Sequence, residues 1–264
     1  MQCKKITSAS NPVVKEMLGE KQHRQPDRFF VEGHHLIEMA VAAGAEILKV
    51  FFTEDYRAKH DDFIGRISKK RAELIETTGH ILLKLSDTKT PQGIVAVVHY
   101  KPLQLDKVKL KAKPLLVVVD GIQDPGNLGT IIRISDATGA DAVIMLPGTC
   151  DAFMPKVIRA TAGSVFNIPV VYSETSRLIE WLRDKKLSLF VTDAKASKTI
   201  YEADLNMPLA LAFGSEAHGA DGKLKNAADM LLKIPIPGKA ESLNVAISAA
   251  VCLYETVRQR TGLS

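Results

Sequence analysis

Six short apolar runs dominate the second half of the chain, at 115–119, 142–146, 168–172, 187–191, 209–213 and 230–234. Their side chains are apolar on successive residues, as in Leu-Leu-Val-Val-Val, rather than on alternate ones. A strand of that kind is buried on both faces, which is the mark of a parallel sheet covered by helices. Helical stretches at 128–138, 155–163, 175–186 and 221–228 lie between most of the runs, and a longer helix over about 242–260 closes the sequence. The pattern predicts an α/β domain with a mostly parallel six-stranded sheet and helices on either side.

The first hundred residues follow a different rhythm and predict a second, smaller α/β domain. Residues 11–22 read as a helix capped by Ser10 or Asn11, with Val14, Met17 and Leu18 on one side. Arg-Phe-Phe-Val-Glu-Gly (28–33) reads as a strand stopped by glycine, and 34–44 as a helix ending at Gly44. Further patterns predict a strand at 47–53, a helix at 61–77 and a buried strand at 94–98. Between Tyr100 and Pro114 there are five lysines, at 101, 107, 109, 111 and 113, against one acid, Asp106, with Pro102 and Pro114 at the ends. This stretch reads as a linker. The domains expected are 1–100, a basic linker at 101–114, and 115–264.

The formal net charge of +5 permits a polyanionic partner without requiring one. The three cysteines, Cys3, Cys150 and Cys252, form no CxxC pair, so no zinc or redox motif is present, and a sparse, odd count suits a reducing compartment. The first residues lack the apolar core of a signal peptide, and no apolar run approaches the roughly 20 residues that span a bilayer. A cytoplasmic protein with no membrane partner is expected.

A parallel α/β domain invites a search for nucleotide and nucleophile fingerprints, and none is present. The glycines of Asp-Gly-Ile-Gln-Asp-Pro-Gly-Asn-Leu-Gly, at 121, 126 and 129, do not have dinucleotide spacing. No GxxxxGK[ST] or GxSxG element occurs. Ser215, Glu216 and His218 lie within four residues on one turn, which disfavours a hydrolase triad.

Three polar loops at predicted strand ends carry the chemistry instead. In 124–133, Pro125-Gly126 turns the chain, Asn127 and Gly129 are suited to positive φ or close approach to a ligand, and Arg133 sits among isoleucines. In 213–219, Gly214-Ser215 permits a sharp turn that delivers Glu216 at a strand end. In 234–255, Pro235 and Pro237 end a strand, and Glu241-Ser242 opens the last helix, with Asn244 and Ser248 near its first turns. Each loop alone also reads as an ordinary turn or helix cap.

Taken together and in order, these segments resemble the three motifs of the SpoU (TrmH-type) branch of the SPOUT RNA methyltransferases. Asn127, Gly129 and Arg133 are similar to its N-x-G-x-x-x-R element; Gly214, Ser215, Glu216 and Gly219 to its glycine-serine-glutamate loop. Ile234, Pro235, Ile236, Pro237, Glu241, Ser242, Leu243, Asn244 and Val245 are similar to its third motif. Ala217 and Ala220 depart from it, standing where the family pattern has glycine and an aliphatic residue.

The resemblance covers about 115–260 and implies a trefoil knot in the C-terminal domain, a homodimer with the active site at the interface, and S-adenosylmethionine as cofactor. It implies 2′-O-methylation of RNA ribose, with ribosomal (23S) RNA favoured over tRNA. A non-catalytic RNA-binding or ribosome-assembly protein is the alternative. Implied catalytic residues are Arg133, Asn127, Glu216, Ser242 and Asn244; implied cofactor contacts are Phe213, Gly214, Gly219, Ile234, Ile236 and Leu243, and no metal. The first domain resembles the family's RNA substrate-binding domain. Its basic residues Lys4, Lys5, Lys15, Lys21, Arg24 and Arg28 are suited to phosphate contacts, whereas Phe29 and Phe30 are expected in the core.

Overall fold

The computed structural model describes residues 3–262 apart from Arg24 and Pro102. The chain divides into two compact units, Met1–Lys101 and Pro102–Ser264. No helix among the described residues is long and apolar enough to cross a membrane.

In chain order the first unit contains β1 (Lys4–Ile6), α1 (Pro12–Gln22), β2 (Arg28–Glu32), α2 (His34–Ala42), β3 (Glu46–Thr53), α3 (Glu54–Ser68), β4 (Glu73–Thr77), α4 (Gly79–Leu85) and β5 (Ile94–His99). Its sheet has the order β1-β4-β3-β5-β2. β5 runs antiparallel to both β2 and β3, and β1, β3 and β4 are parallel. The ends of β2, β3 and β4 and the start of β5 therefore share one edge. Asn11 caps α1 by accepting a hydrogen bond from Val13 N at 2.9 Å, and Val14 and Met17 are fully buried. Phe29 is buried, and Phe30 packs partly buried against the core.

The stretch 61–77, expected as one helix, is the end of α3, a turn and β4. Ile64, Ile67 and Leu74 have helical spacing, which hides the boundary. Arg71 adopts φ 64°, a left-handed conformation that ends a helix. Residues 73–77 then pair with β1 on one side and β3 on the other, so tertiary pairing decides their state. β1 and α4 are elements that no sequence pattern announced.

The second unit contains β6 (Leu115–Asp120), α5 (Pro125–Ala137), β7 (Ala142–Met145), α6 (Pro155–Ala160), β8 (Val170–Tyr172), α7 (Thr175–Asp184), β9 (Ser188–Thr192), β10 (Lys198–Thr199), β11 (Leu209–Gly214), α8 (Gly222–Ala227), β12 (Met230–Lys233) and α9 (Val245–Thr261). The sheet is parallel throughout, in the order β10-β12-β9-β11-β6-β7-β8. It has seven strands where six were expected. The seventh is β10, a two-residue edge strand on β12, too short to show an apolar run.

Residues 103–114 pack onto this unit. Leu105 and Val108 join its core beside Trp181 and Leu182, and Asp141 accepts hydrogen bonds from the backbone N–H groups of Lys111 (2.9 Å) and Leu115 (2.8 Å). The apolar residues interleaved with the lysines find a surface to cover, a choice that composition alone does not reveal.

Candidate active site

The three motif loops all leave strand C-termini of the second sheet, where open α/β sheets bind ligands. β6 leads into α5, whose first residue is Pro125. Asp124 is the cap, accepting from Asn127 N at 2.8 Å. Asn127 and Gly129 are helical, so of the two alternatives expected for that loop the positive φ is not adopted. Gly129 serves packing: a Cβ there would lie 2.4 Å from Ala160 Cβ and 2.8 Å from the Val157 carbonyl, so only glycine lets α5 approach α6 this closely.

Because Asp124 caps the helix, the Asn127 carboxamide is free for other work. Its Nδ2 donates to Glu216 Oε1, and its Oδ1 accepts from Asn244 Nδ2 at 2.9 Å. One residue from each motif thus joins a single hydrogen-bonded line. Asn244 also caps α9, its Oδ1 accepting from Ala246 N (2.9 Å) and Ile247 N (3.3 Å). The last helix starts at Val245 rather than at 242, because the cap is Asn244 and not Ser242.

The loop after β11 is closed on itself. Ser215 N donates to Gly219 O (3.1 Å), and Gly219 N to Ser215 O (2.8 Å). A Cβ on Gly214 would lie 1.9 Å from Ala220 N, and Gly219 adopts φ 67°. Both glycines are dictated by this turn, which holds Glu216 at its tip. Ser215 Oγ accepts from His218 N at 3.2 Å, so the hydroxyl meets the histidine's backbone and not its ring. That arrangement contradicts a hydrolase triad. Beneath the loop, burial pushes the Asp120 carboxyl above its ordinary range while it accepts from Asp221 N at 2.6 Å.

A cleft of about 390 Å³ opens beside this line of residues. Of the expected cofactor contacts, Gly214, Gly219, Ile234, Ile236 and Leu243 line it, as do Glu216 and Ser242. Phe213 does not; its side chain is fully buried in the sheet. Asn127, Asn244 and Arg133 do not line it either. Arg133 is exposed, one turn beyond Gly129 on α5, and makes no hydrogen bond or ion pair among the described residues.

Thr192, Asp193 and Lys225 also line the cleft and were missed. Lys225 Nζ lies 2.8 Å from Asp193 Oδ2 and holds that carboxyl below its ordinary range. Their signal was positional: Asp193 directly follows the C-terminus of β9.

The basic residues of the first unit are largely neutralised within it. Lys4 pairs with Glu73 (2.6 Å), Lys5 with Glu76 (2.8 Å), Lys21 with Asp87 (3.1 Å) and Arg28 with Glu20 (3.2 Å). Lys15 is exposed, and Arg24 lies outside the described residues.

A parallel α/β sheet with polar motifs at its strand ends agrees with the SpoU resemblance, and so do the matches to known proteins. Residues 114–254 match the SpoU rRNA Methylase family, and residues 11–96 match the MRM3-like substrate binding domain. The chain belongs to the SpoU rRNA methylase family, so its reading as an RNA methyltransferase is borne out.

Over 254 residues it is 33% identical to the 23S rRNA (guanosine(2553)-2′-O)-methyltransferase RlmP of Bacillus subtilis (strain 168), covering 95% of this chain and 98% of that protein. It is 29% identical over 253 residues to the 23S rRNA (uridine(2479)-2′-O)-methyltransferase of Streptomyces viridochromogenes, covering 92% and 88%. Its fold matches the crystal structure of the AdoMet-bound rRNA methyltransferase from Sinorhizobium meliloti with a TM-score of 0.89 and 30% identity, covering 100% of both chains.

Proposed function

We propose that the chain methylates the ribose 2′-hydroxyl of a nucleotide in ribosomal RNA, using S-adenosylmethionine. The observation that carries this reading is the line Glu216–Asn127–Asn244, which joins the three motifs beside the cleft. The cleft suits the cofactor. Its volume falls in the range of roughly 300–1,000 Å³ usual for small-molecule sites. Gly214 and Gly219 bring bare backbone to its wall, and Ile234, Ile236 and Leu243 offer apolar surface to an adenine ring. Bound there, the cofactor would supply an electrophilic sulfonium methyl group and its own leaving group.

The protein supplies position and charge. Asn127 holds Glu216 and Asn244 in register. Glu216 engages Asn127 through Oε1 and keeps a carboxylate oxygen for the 2′-hydroxyl proton. The Arg133 guanidinium stabilises the developing alkoxide electrostatically. Ser242 steadies the third loop at the cleft wall.

Arg133 does not line the cleft of its own chain, and α9 exposes Ile247 (53%) and Tyr254 (56%), seven residues apart on one face. Both features support a homodimer in which two copies complete each site. The structural match supports a knotted C-terminal segment. Three free cysteines suit a cytoplasmic enzyme. That relatives are named for guanosine and for uridine leaves the base open, whereas both are named for 23S rRNA.

The test is methyl transfer by the purified full chain to unmodified 23S rRNA, with 2′-O-methyl sites mapped on the product. Arg133→Ala should lower turnover at least a hundredfold, the scale of losing one transition-state donor, while cofactor affinity by calorimetry stays unchanged. Near-normal turnover in that variant removes Arg133 from the mechanism. No methylation by the wild type, with no cofactor binding, returns the chain to a binding-only role.

A further inference from the structure

We propose that the first unit carries a pocket for one unpaired RNA nucleotide, gripping its base by stacking and its flanking phosphates by two lysines. The proposal rests on the reading of the chain as an RNA methyltransferase and names a part of the substrate that the first unit would hold.

The pocket is a cavity of about 550 Å³ on the sheet edge where β3 and β4 end and β5 begins. Three aromatic side chains stack beside it. The His60 ring lies 4.6 Å from Tyr56, inclined by 33°, and 4.6 Å from His34, inclined by 32°. His34 also rests 4.6 Å from the Phe63 ring. Tyr56 is buried and fixed by a 2.5 Å hydrogen bond between its hydroxyl and His34 Nδ1. The half-buried His60 is the stack member that lines the cavity together with Tyr56. α3 departs from helical geometry at this residue (φ −137°, ψ 35°), with no proline or glycine to cause it.

The lining also includes Leu83, a large apolar side chain left 47% exposed. An imidazole and an exposed leucine in one cavity wall suit a planar group with apolar faces better than a hydrated ion or an acidic peptide. Gln92 Oε1 accepts from His34 N at 3.0 Å, and the Gln92 Nε2 amide, with no hydrogen bond among the described residues, is available to a base edge.

The charge pattern selects nucleic acid. Lys59 and Lys89 line the cavity, are exposed, and make no hydrogen bond or ion pair among the described residues, unlike Lys4, Lys5, Lys21 and Arg28. Asp55 is the acid that lines it, so the cations outnumber it. Unpaired lysines beside a ring stack are the means by which proteins hold single-stranded RNA: phosphates by charge, bases by their π faces. A duplex would hide the base faces, so a loop or bulge nucleotide is the ligand.

The experiment uses the full-length protein and unmodified 23S rRNA transcript. Ultraviolet crosslinking followed by mass spectrometry should place RNA adducts on 56–63 and 83–93. Lys59→Ala/Lys89→Ala should raise KM for RNA and leave kcat and cofactor affinity unchanged. It should also flatten the dependence of log binding constant on log salt by about 0.7 per lost phosphate contact. His60→Ala should weaken RNA binding about tenfold, the scale of one lost stacking contact.

RNA affinity within twofold of wild type in both variants, with adducts elsewhere, overturns the pocket even if methylation proceeds. Adducts at the pocket with a wild type that never methylates uphold the pocket and overturn the catalytic reading. Binding of GMP or UMP alone that excess RNA transcript cannot displace would assign the site to a free nucleotide and overturn the RNA proposal. Near-ultraviolet circular dichroism identical to wild type shows that each variant is folded.

Discussion

Gly129→Ala separates two accounts of the first motif. If Gly129 were there for backbone freedom near a ligand, alanine would be mild or even helpful, since alanine exceeds glycine in helix propensity by about 1 kcal/mol. The structure says otherwise. The new methyl group would lie 2.4 Å from Ala160 Cβ and 2.8 Å from a backbone carbonyl. Carbon atoms rest at about 3.5–4.0 Å, so α5 and α6 must part by about 1 Å.

Forcing a methyl into a packed contact between two helices costs about 2–3 kcal/mol. Less the propensity gain, the net loss is about 1–2 kcal/mol. For a unit of this size that lowers the melting temperature by about 2–8 °C. The control is Gly19→Ala in the exposed face of α1, where a Cβ would meet nothing within 4 Å. It should raise stability by up to about 1 kcal/mol. Differential scanning calorimetry on both variants decides. A Gly129→Ala protein as stable as Gly19→Ala would refute the packing argument. Since α5 also carries Asn127 and Arg133, the destabilised variant should lose methyl transfer at temperatures where it remains folded.

Three further predictions follow from side-chain contacts. Asn127→Ala removes the bridge between Glu216 and Asn244, and should reduce kcat about tenfold or more with little change in cofactor affinity, measured by single-turnover methyl transfer; an unchanged kcat would leave the line merely structural. Tyr254→Asp places a charge on the exposed face of α9 and should convert a dimer to a monomer in sedimentation velocity, with loss of activity; an active monomer would place the whole site within one chain. Glu255 is buried and bonded to Arg258 at 2.8 Å, which holds its carboxyl below the ordinary range. A depressed folded value means that this stability is present above the unfolded pKa and lost as pH falls through the folded one. Glu255→Gln should therefore lower the melting temperature at neutral pH and match wild type in acid; an equal deficit at all pH values would exclude the ion pair as the cause.

Sequence alone determined the class of the second unit, because strands buried on both faces write their burial directly as continuous apolar runs. It also located the three loops, since glycine and proline mark turns whatever surrounds them. The same local logic failed at 61–77, where Ile64, Ile67 and Leu74 keep helical spacing across a break set by Arg71 and by pairing with β1 and β3. It missed Asp193 and Lys225, ordinary residues given meaning by the cleft they share.

Only tertiary structure decided what the motif residues do. Asn127 and Glu216 are 89 positions apart and Asn127 and Asn244 are 117 apart, yet they share one hydrogen-bonded line. Gly129 proved to be a packing residue and Asp124 the helix cap. A sequence records the local preferences of each residue. Which lysines remain unpaired, and which carboxamide meets which carboxylate, depends on distances that exist only after the strands have assembled.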